Sequence, residues 1–87
     1  MPDTPPSSFY HLPVKRSVTI AGHQTSITLE PLFWDALLEA ATVRGLPLNA
    51  LIAQIDAARL EASDPPGLAG AVRLWLMAQS RVAPPRD

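Results

Sequence analysis

The chain has 87 residues, 47% of them apolar, and a formal net charge of −1 from seven Lys and Arg against eight Asp and Glu. That length holds one small domain, and the ~70 residues between its proline-rich ends are near the size at which a single core is marginal, so oligomerisation is a natural supplement. The absence of cysteine excludes disulfides and thiolate metal sites. Near-neutral charge excludes a protein that grips nucleic acid by bulk charge alone, so any such contact must come from local placement.

Met1 to Pro13 contains four prolines, two serines and a threonine, and Ala83 to Asp87 repeats that character. Residues 1–13 and 83–87 are therefore expected as loosely attached tails around a domain over 14–82. No apolar run reaches the ~18 residues of a membrane span. The N-terminus lacks the basic region and apolar stretch of a signal peptide, and a cytoplasmic protein is expected.

Val18 and Ile20 alternate with Ser17, Thr19 and Ala21, and Ile27 and Leu29 alternate with Ser26, Thr28 and Glu30. Gly22-His23 between them suits a two-residue type II′ loop. That loop would set Ala21 against Gln24, Ile20 against Thr25, Thr19 against Ser26, Val18 against Ile27 and Lys15 against Glu30. Apolar pairs then fall on one face and polar pairs on the other. The alternative is an unpaired arm over Lys15 to Ile20.

Pro31 fits the first turn of a helix, where its missing N–H has no helical partner anyway. Trp34, Leu37, Leu38 and Ala41 follow with the spacing of a buried stripe. Gly45 suits the left-handed residue that ends a helix, and Arg44 the negative end of its dipole. A second helix is expected over Leu48 to Leu60, with Leu48, Leu51, Ile52 and Ile55 inward. Ser63-Asp64-Pro65-Pro66-Gly67 breaks the chain. A third helix follows from Leu68 to Val82, with Leu68, Ala71, Val72 and Trp75 in one stripe. Leu74, Leu76 and Met77 widen that stripe to most of the circumference. Trp75, at core spacing, is expected to be buried.

A single short strand is not stable alone in water. The faces carrying Ile27, Leu29, Trp34, Leu37, Ile52 and Ile55 are expected to be too apolar for one chain with three short helices to cover. Both points imply an obligate dimer.

Little in the chain looks catalytic. His11 and His23 each stand alone. There is no phosphate-cradling glycine loop, no zinc-binding helix motif and no spacing of a nucleophilic triad. The expectation is a non-enzyme without metal or cofactor.

The order of Ser26-Ile27-Thr28-Leu29, Glu30-Pro31-Leu32-Phe33-Trp34 and Arg44-Gly45-Leu46-Pro47-Leu48-Asn49-Ala50-Leu51-Ile52 is strand, helix, Gly-Leu turn, helix. It resembles the ribbon-helix-helix DNA-binding family of the Arc and CopG type, in particular a bacterial branch with a KRSVTIAGH-type segment ahead of the ribbon. Here that segment is Lys15 to His23. The resemblance implies a mainly α fold with a short β element: a ribbon-helix-helix homodimer with an N-terminal β-hairpin or arm and an extra C-terminal helix. It implies a sequence-specific transcriptional regulator whose paired strands enter the major groove. Carried over residue by residue, Gln24, Ser26 and Thr28 read bases. Lys15, Arg16 and the N–H groups of Leu48 and Asn49 hold phosphates.

Three features depart from that pattern. Pro47 stands where relatives carry a capping Ser or Thr, which removes one N–H and the hydroxyl. The third helix is additional. A hairpin from each subunit would make a four-stranded sheet about 14 Å across, against a major groove about 12 Å wide. The reading from a different class is a protein-interaction module, an antitoxin-like or scaffold dimer that binds a partner through the apolar third helix.

Overall fold

A computed structural model of the chain describes residues 10–81. Strands β1 (Val14–Ile20) and β2 (His23–Leu29) are followed by helices α1 (Pro31–Arg44), α2 (Leu48–Leu60) and α3 (Leu68–Arg81). This is the mainly α fold with a short β element expected. Of the expected tails, only Tyr10 to Pro13 is described, as irregular exposed chain; residues 1–9 and 82–87 lie outside the described residues, as does the expected helix end at Val82.

Lys15 to Ile20 belongs to a hairpin and not to an arm. β1 and β2 pair antiparallel from Val14↔Leu29 to Ile20↔His23. The register differs from the sequence expectation by two residues. Val18 lies opposite Thr25 rather than Ile27, and Lys15 opposite Thr28 rather than Glu30. The loop is Ala21-Gly22, with φ 50° and 82°. Left-handed geometry at both central residues is a type I′ turn, whose twist matches that of the strands. The shift also brings Val14 into the ladder, where its carbonyl accepts a hydrogen bond of 2.9 Å from the Trp34 indole N–H. Because the shift is even, every side chain keeps the face expected of it.

The apolar face of the hairpin packs on the helices, with α2 beneath β1 and both α1 and α3 beneath β2. Val18, Ile27 and Leu29 join Trp34 and Leu37 of α1, Leu51, Ile52 and Ile55 of α2, and Ala71 and Val72 of α3 in one core. Trp34 is fully buried at its centre. α1 ends at Gly45, φ 66°. The Leu46 N–H reaches back to the Ala41 carbonyl at 2.9 Å, which closes the helix with two of its orphan carbonyls satisfied. The chain then turns through about 100° into α2, and this turn lets α2 cross under β1. Among the described residues no single helix is long and apolar enough to cross a membrane.

Both sequence arguments for an obligate dimer fail on these observations. β2 is paired within its own chain. All six residues expected to overwhelm a single chain are at most 3% exposed in it. The covering surface comes from α3 and β1, the two elements that flank the strand-helix-helix unit.

Three arginines fasten α3 and its connection. Arg59 forms an ion pair with Asp56 at 2.7 Å and donates to the Pro66 carbonyl at 3.0 Å, shaping the link from α2. Arg73 pairs with Glu30 at 3.0 Å and lies over the Phe33 ring. Arg44 lies over the Trp75 ring and donates to the Gln79 amide oxygen at 2.7 Å. Trp75 is therefore a half-buried bracket under Arg44, not the buried core residue expected. Leu74 and Met77, on the wide apolar side of α3, are 64% and 59% exposed.

Trp34→Ala should cost about 3–5 kcal/mol in denaturant unfolding, as removal of a buried aromatic does. Trp75→Ala should cost distinctly less, because solvent already reaches its ring. A second substitution checks the turn. Ala21 holds a left-handed φ that costs an L-residue about 1–2 kcal/mol. Ala21→Asn creates the Asn-Gly pair favoured in type I′ loops and should raise the thermal midpoint. A lowered midpoint would contradict this turn geometry.

Candidate functional site

The exposed face of the hairpin is built by parity. Lys15, Ser17 and Thr19 of β1 alternate with Val14, Arg16, Val18 and Ile20; Gln24, Ser26 and Thr28 of β2 alternate with His23, Thr25, Ile27 and Leu29. Burial of Val18, Ile27 and Leu29 turns the first set outward. In the observed register Lys15 is opposite Thr28, Ser17 opposite Ser26 and Thr19 opposite Gln24. All six are exposed. Among the described residues none of these side chains is hydrogen-bonded within the protein. The face offers four hydroxyls, one amide and one ammonium group, with no carboxylate.

The turn also decides which backbone groups are free. A two-residue loop closes on a hydrogen-bonded pair, here Ile20↔His23, and such pairs alternate along an antiparallel ladder. The N–H and C=O groups of His23, Thr25, Ile27 and Leu29 therefore point at β1. Those of Gln24, Ser26 and Thr28 point to the outer edge of β2, which no strand among the described residues covers. The residues expected to read bases thus also own the open strand edge.

The expected phosphate ligands are not all together. Lys15 lies on the polar face. Arg16, its neighbour in a strand, points the other way, and its guanidinium lies 5.1 Å from the centre of the Trp34 ring. Leu48 and Asn49 occupy the first turn of α2. Pro47 caps that helix through its backbone alone, and its carbonyl takes the N–H groups of Ala50 at 3.0 Å and Leu51 at 3.1 Å. The N–H groups of Leu48 and Asn49 precede those first helical bonds and need a partner from elsewhere.

Sequence reasoning named Gln24, Ser26 and Thr28 but not Ser17 and Thr19. The signal was present: Lys15-x-Ser17-x-Thr19 alternates as Gln24-x-Ser26-x-Thr28 does. Only the pairing of β1 with β2 places the two rows side by side.

The Ribbon-helix-helix domain model matches residues 13–80. The chain belongs to the ribbon-helix-helix family. The match covers β1 and α3 as well as the central strand-helix-helix unit, so the hairpin and the third helix lie within the matched domain. No curated protein and no solved structure matches this ribbon-helix-helix chain.

Two of the concavities among the described residues lie away from the polar face. One, of about 430 Å³, runs between α1 and α3 and is lined by Leu32, Phe33, Ala36, Leu74, Leu76 and Met77 with Arg73 and Ser80. The other, of about 300 Å³, lies beneath the hairpin tip between Ile20, His23, Thr25, Leu68 and the Asp56–Arg59 pair. Among the described residues no three His, Cys, Asp or Glu gather as a metal site would require.

Glu30 joins the end of the ribbon to α3. A hydrogen bond from its own backbone N–H, then the Arg73 guanidinium, hold its carboxyl below the ordinary 4.5. A carboxyl with a lowered folded-state value contributes stability above its unfolded value and loses it as pH falls through the folded one. Wild-type stability should therefore decline as pH drops below about 4.5. Glu30→Gln should flatten that part of the decline in urea unfolding. An unchanged acid limb would show that the Glu30–Arg73 pair contributes nothing there.

Proposed function

We propose that this ribbon-helix-helix protein is a non-catalytic, sequence-specific DNA-binding regulator that acts as a homodimer through the polar face of its hairpin. The observation that carries the reading is that face: exposed, uncommitted within the chain and free of carboxylates, on a member of a family whose ribbons bind DNA. The open edge of β2 supports the dimer. A two-fold axis at Ser26 would set Ser26 against its own copy and Gln24 against the partner's Thr28, and each of these pairs has backbone groups aimed at the new neighbour. The dimer would thus add its strands edge to edge around residues whose side chains all face the same way.

In this reading Gln24 pairs bidentately with adenine, while Ser26 and Thr28 donate to or accept from base edges. Lys15 and the free N–H groups of Leu48 and Asn49 hold backbone phosphates. The stack of Arg16 on Trp34 supports a structural role for it, and the phosphate role expected of the pair rests on Lys15.

Selection from a random duplex pool should return an approximate palindrome, as a two-fold protein requires. Gln24→Ala and Thr28→Ala should weaken binding to the selected site more than to random DNA, each by roughly 5- to 100-fold, the range of a lost base contact. Lys15→Ala should weaken both equally. With Lys15 as the cation on each subunit's face, the logarithm of affinity should fall against the logarithm of salt with a slope of about −2. Arg16→Gln should leave that slope unchanged. If dimer at low salt shows no preference among DNA sequences, the regulator reading falls. The apolar groove between α1 and α3, with its exposed Leu74 and Met77, then favours the protein-interaction module.

A further inference from the structure

We propose that β1 is a phosphate-gripping strand: Ser17 and Thr19, beside Lys15, hold the two sugar–phosphate backbones that flank the groove entered by β2. This inference rests on the DNA-binding reading above and names the part of the duplex that the second strand of the hairpin contacts.

The argument starts from width. A dimer joined along the open edges of β2 has the strand order β1, β2, β2, β1. At about 4.8 Å between neighbouring strands, the central pair lies about 2.4 Å from the two-fold axis and the outer pair about 7 Å from it. The major groove is about 12 Å wide, so its walls stand about 6 Å from its midline. The central strands can approach the groove floor. The outer strands cannot enter beside them; they lie over the rims, where the phosphates are. The apparent misfit between a four-stranded sheet and the groove becomes a division of labour.

The side chains divide in the same way. β2 presents Gln24, the amide suited to a base edge, with Ser26 and Thr28. β1 presents Lys15, Ser17 and Thr19, an ammonium and two hydroxyls, which are donors of the kind that bind phosphate oxygens. The cation of the face is on the outer strand and the amide on the inner one. Register keeps the two rows level, with Ser17 beside Ser26 and Thr19 beside Gln24. A rim contact on β1 therefore sets the depth and angle at which the neighbouring β2 residue meets its base. None of these side chains is needed by the core, since the hairpin's packing is made by Val18, Ile27 and Leu29 on the other face.

The test uses the full chain, a duplex selected from a random pool, and a scrambled duplex of equal length. The double variant Ser17→Ala/Thr19→Ala should lose affinity for both duplexes by the same factor, at least about tenfold for the four hydroxyls removed per dimer. The ratio between the two affinities should stay as in the wild type. Ser17→Thr/Thr19→Ser keeps the hydroxyls and should restore binding, while circular dichroism and unfolding midpoints show whether each variant is folded. Ethylation interference supplies a second readout: phosphates on both sides of the groove should block the wild type when ethylated, and the double variant should lose that pattern. Undiminished binding by the double variant overturns the proposal and leaves the regulator reading intact. A loss confined to the selected duplex also overturns it, because β1 would then be reading bases. Wild-type protein that binds neither duplex removes the regulator reading and this inference together.

Discussion

The indole of Trp34 holds this fold in register. It is fully buried, it donates to the carbonyl of Val14 at the far end of β1, and its ring carries the Arg16 guanidinium. A buried indole N–H without an acceptor would be costly, so the hairpin must bring one to it. The residue that supplies the acceptor lies 20 positions earlier in the chain. One side chain in the first turn of α1 thereby ties the start of β1 to the helices and holds the register that sets the six outward side chains opposite one another. The polar face is a consequence of how the apolar face is anchored.

The same economy governs the charges. Four of the described arginines are committed to structure: Arg16 to Trp34, Arg44 to Trp75 and Gln79, Arg59 to Asp56 and Pro66, Arg73 to Glu30 and Phe33. Ion pairs as open to solvent as Arg59–Asp56 and Arg73–Glu30 contribute little individually, but with the Arg44–Trp75 contact they locate α3 and its connection by planar, directional contacts. Lys15 is left as the charge on the outward face of the hairpin. A near-neutral chain can thus still present a donor-rich surface, because the outward face of the hairpin carries no carboxylate and four of the described arginines engage rings, carboxylates or carbonyls elsewhere. In the proposed function, recognition by such a surface leans on neutral donors and acceptors, which carry sequence information, more than on charge, which does not.

The added elements change what the strand-helix-helix unit needs from a partner. β1 pairs with β2, and α3 lays Ala71 and Val72 into the core. Every apolar face expected to demand a second subunit is closed within one chain. Any association then uses what remains open, among it the outer edge of β2 and the apolar groove where Leu74 and Met77 stand exposed beside α1. The edge is polar and directional; the groove is neither. Two surfaces of such different character suit two different kinds of contact, and only the edge is continuous with the proposed DNA-binding face.

The sequence by itself determined the elements and their faces. Period-two alternation across residues 14–29 decides which strand side chains share a side, and it does so whatever the register, provided any slip is even. Pro31, Gly45 and the Ser63–Gly67 break punctuate the helices because each has a backbone constraint that no packing can override. The strand-helix-Gly-Leu-helix order was sufficient to indicate the family. Tertiary structure decided what depends on distant partners. The Ala21-Gly22 turn prevailed over Gly22-His23 because it brings the Val14 carbonyl to the Trp34 indole, a contact no local pattern encodes. Arg16 parts from Lys15 because neighbours in a strand diverge and an aromatic ring lies on its side. Trp75 fell short of full burial because Arg44, from another helix, covers it in place of apolar side chains. The closure of the core within one chain was equally out of reach of the sequence: whether three short helices and a hairpin can cover a given apolar area depends on the angles at which they meet, and those are set only when the whole chain packs.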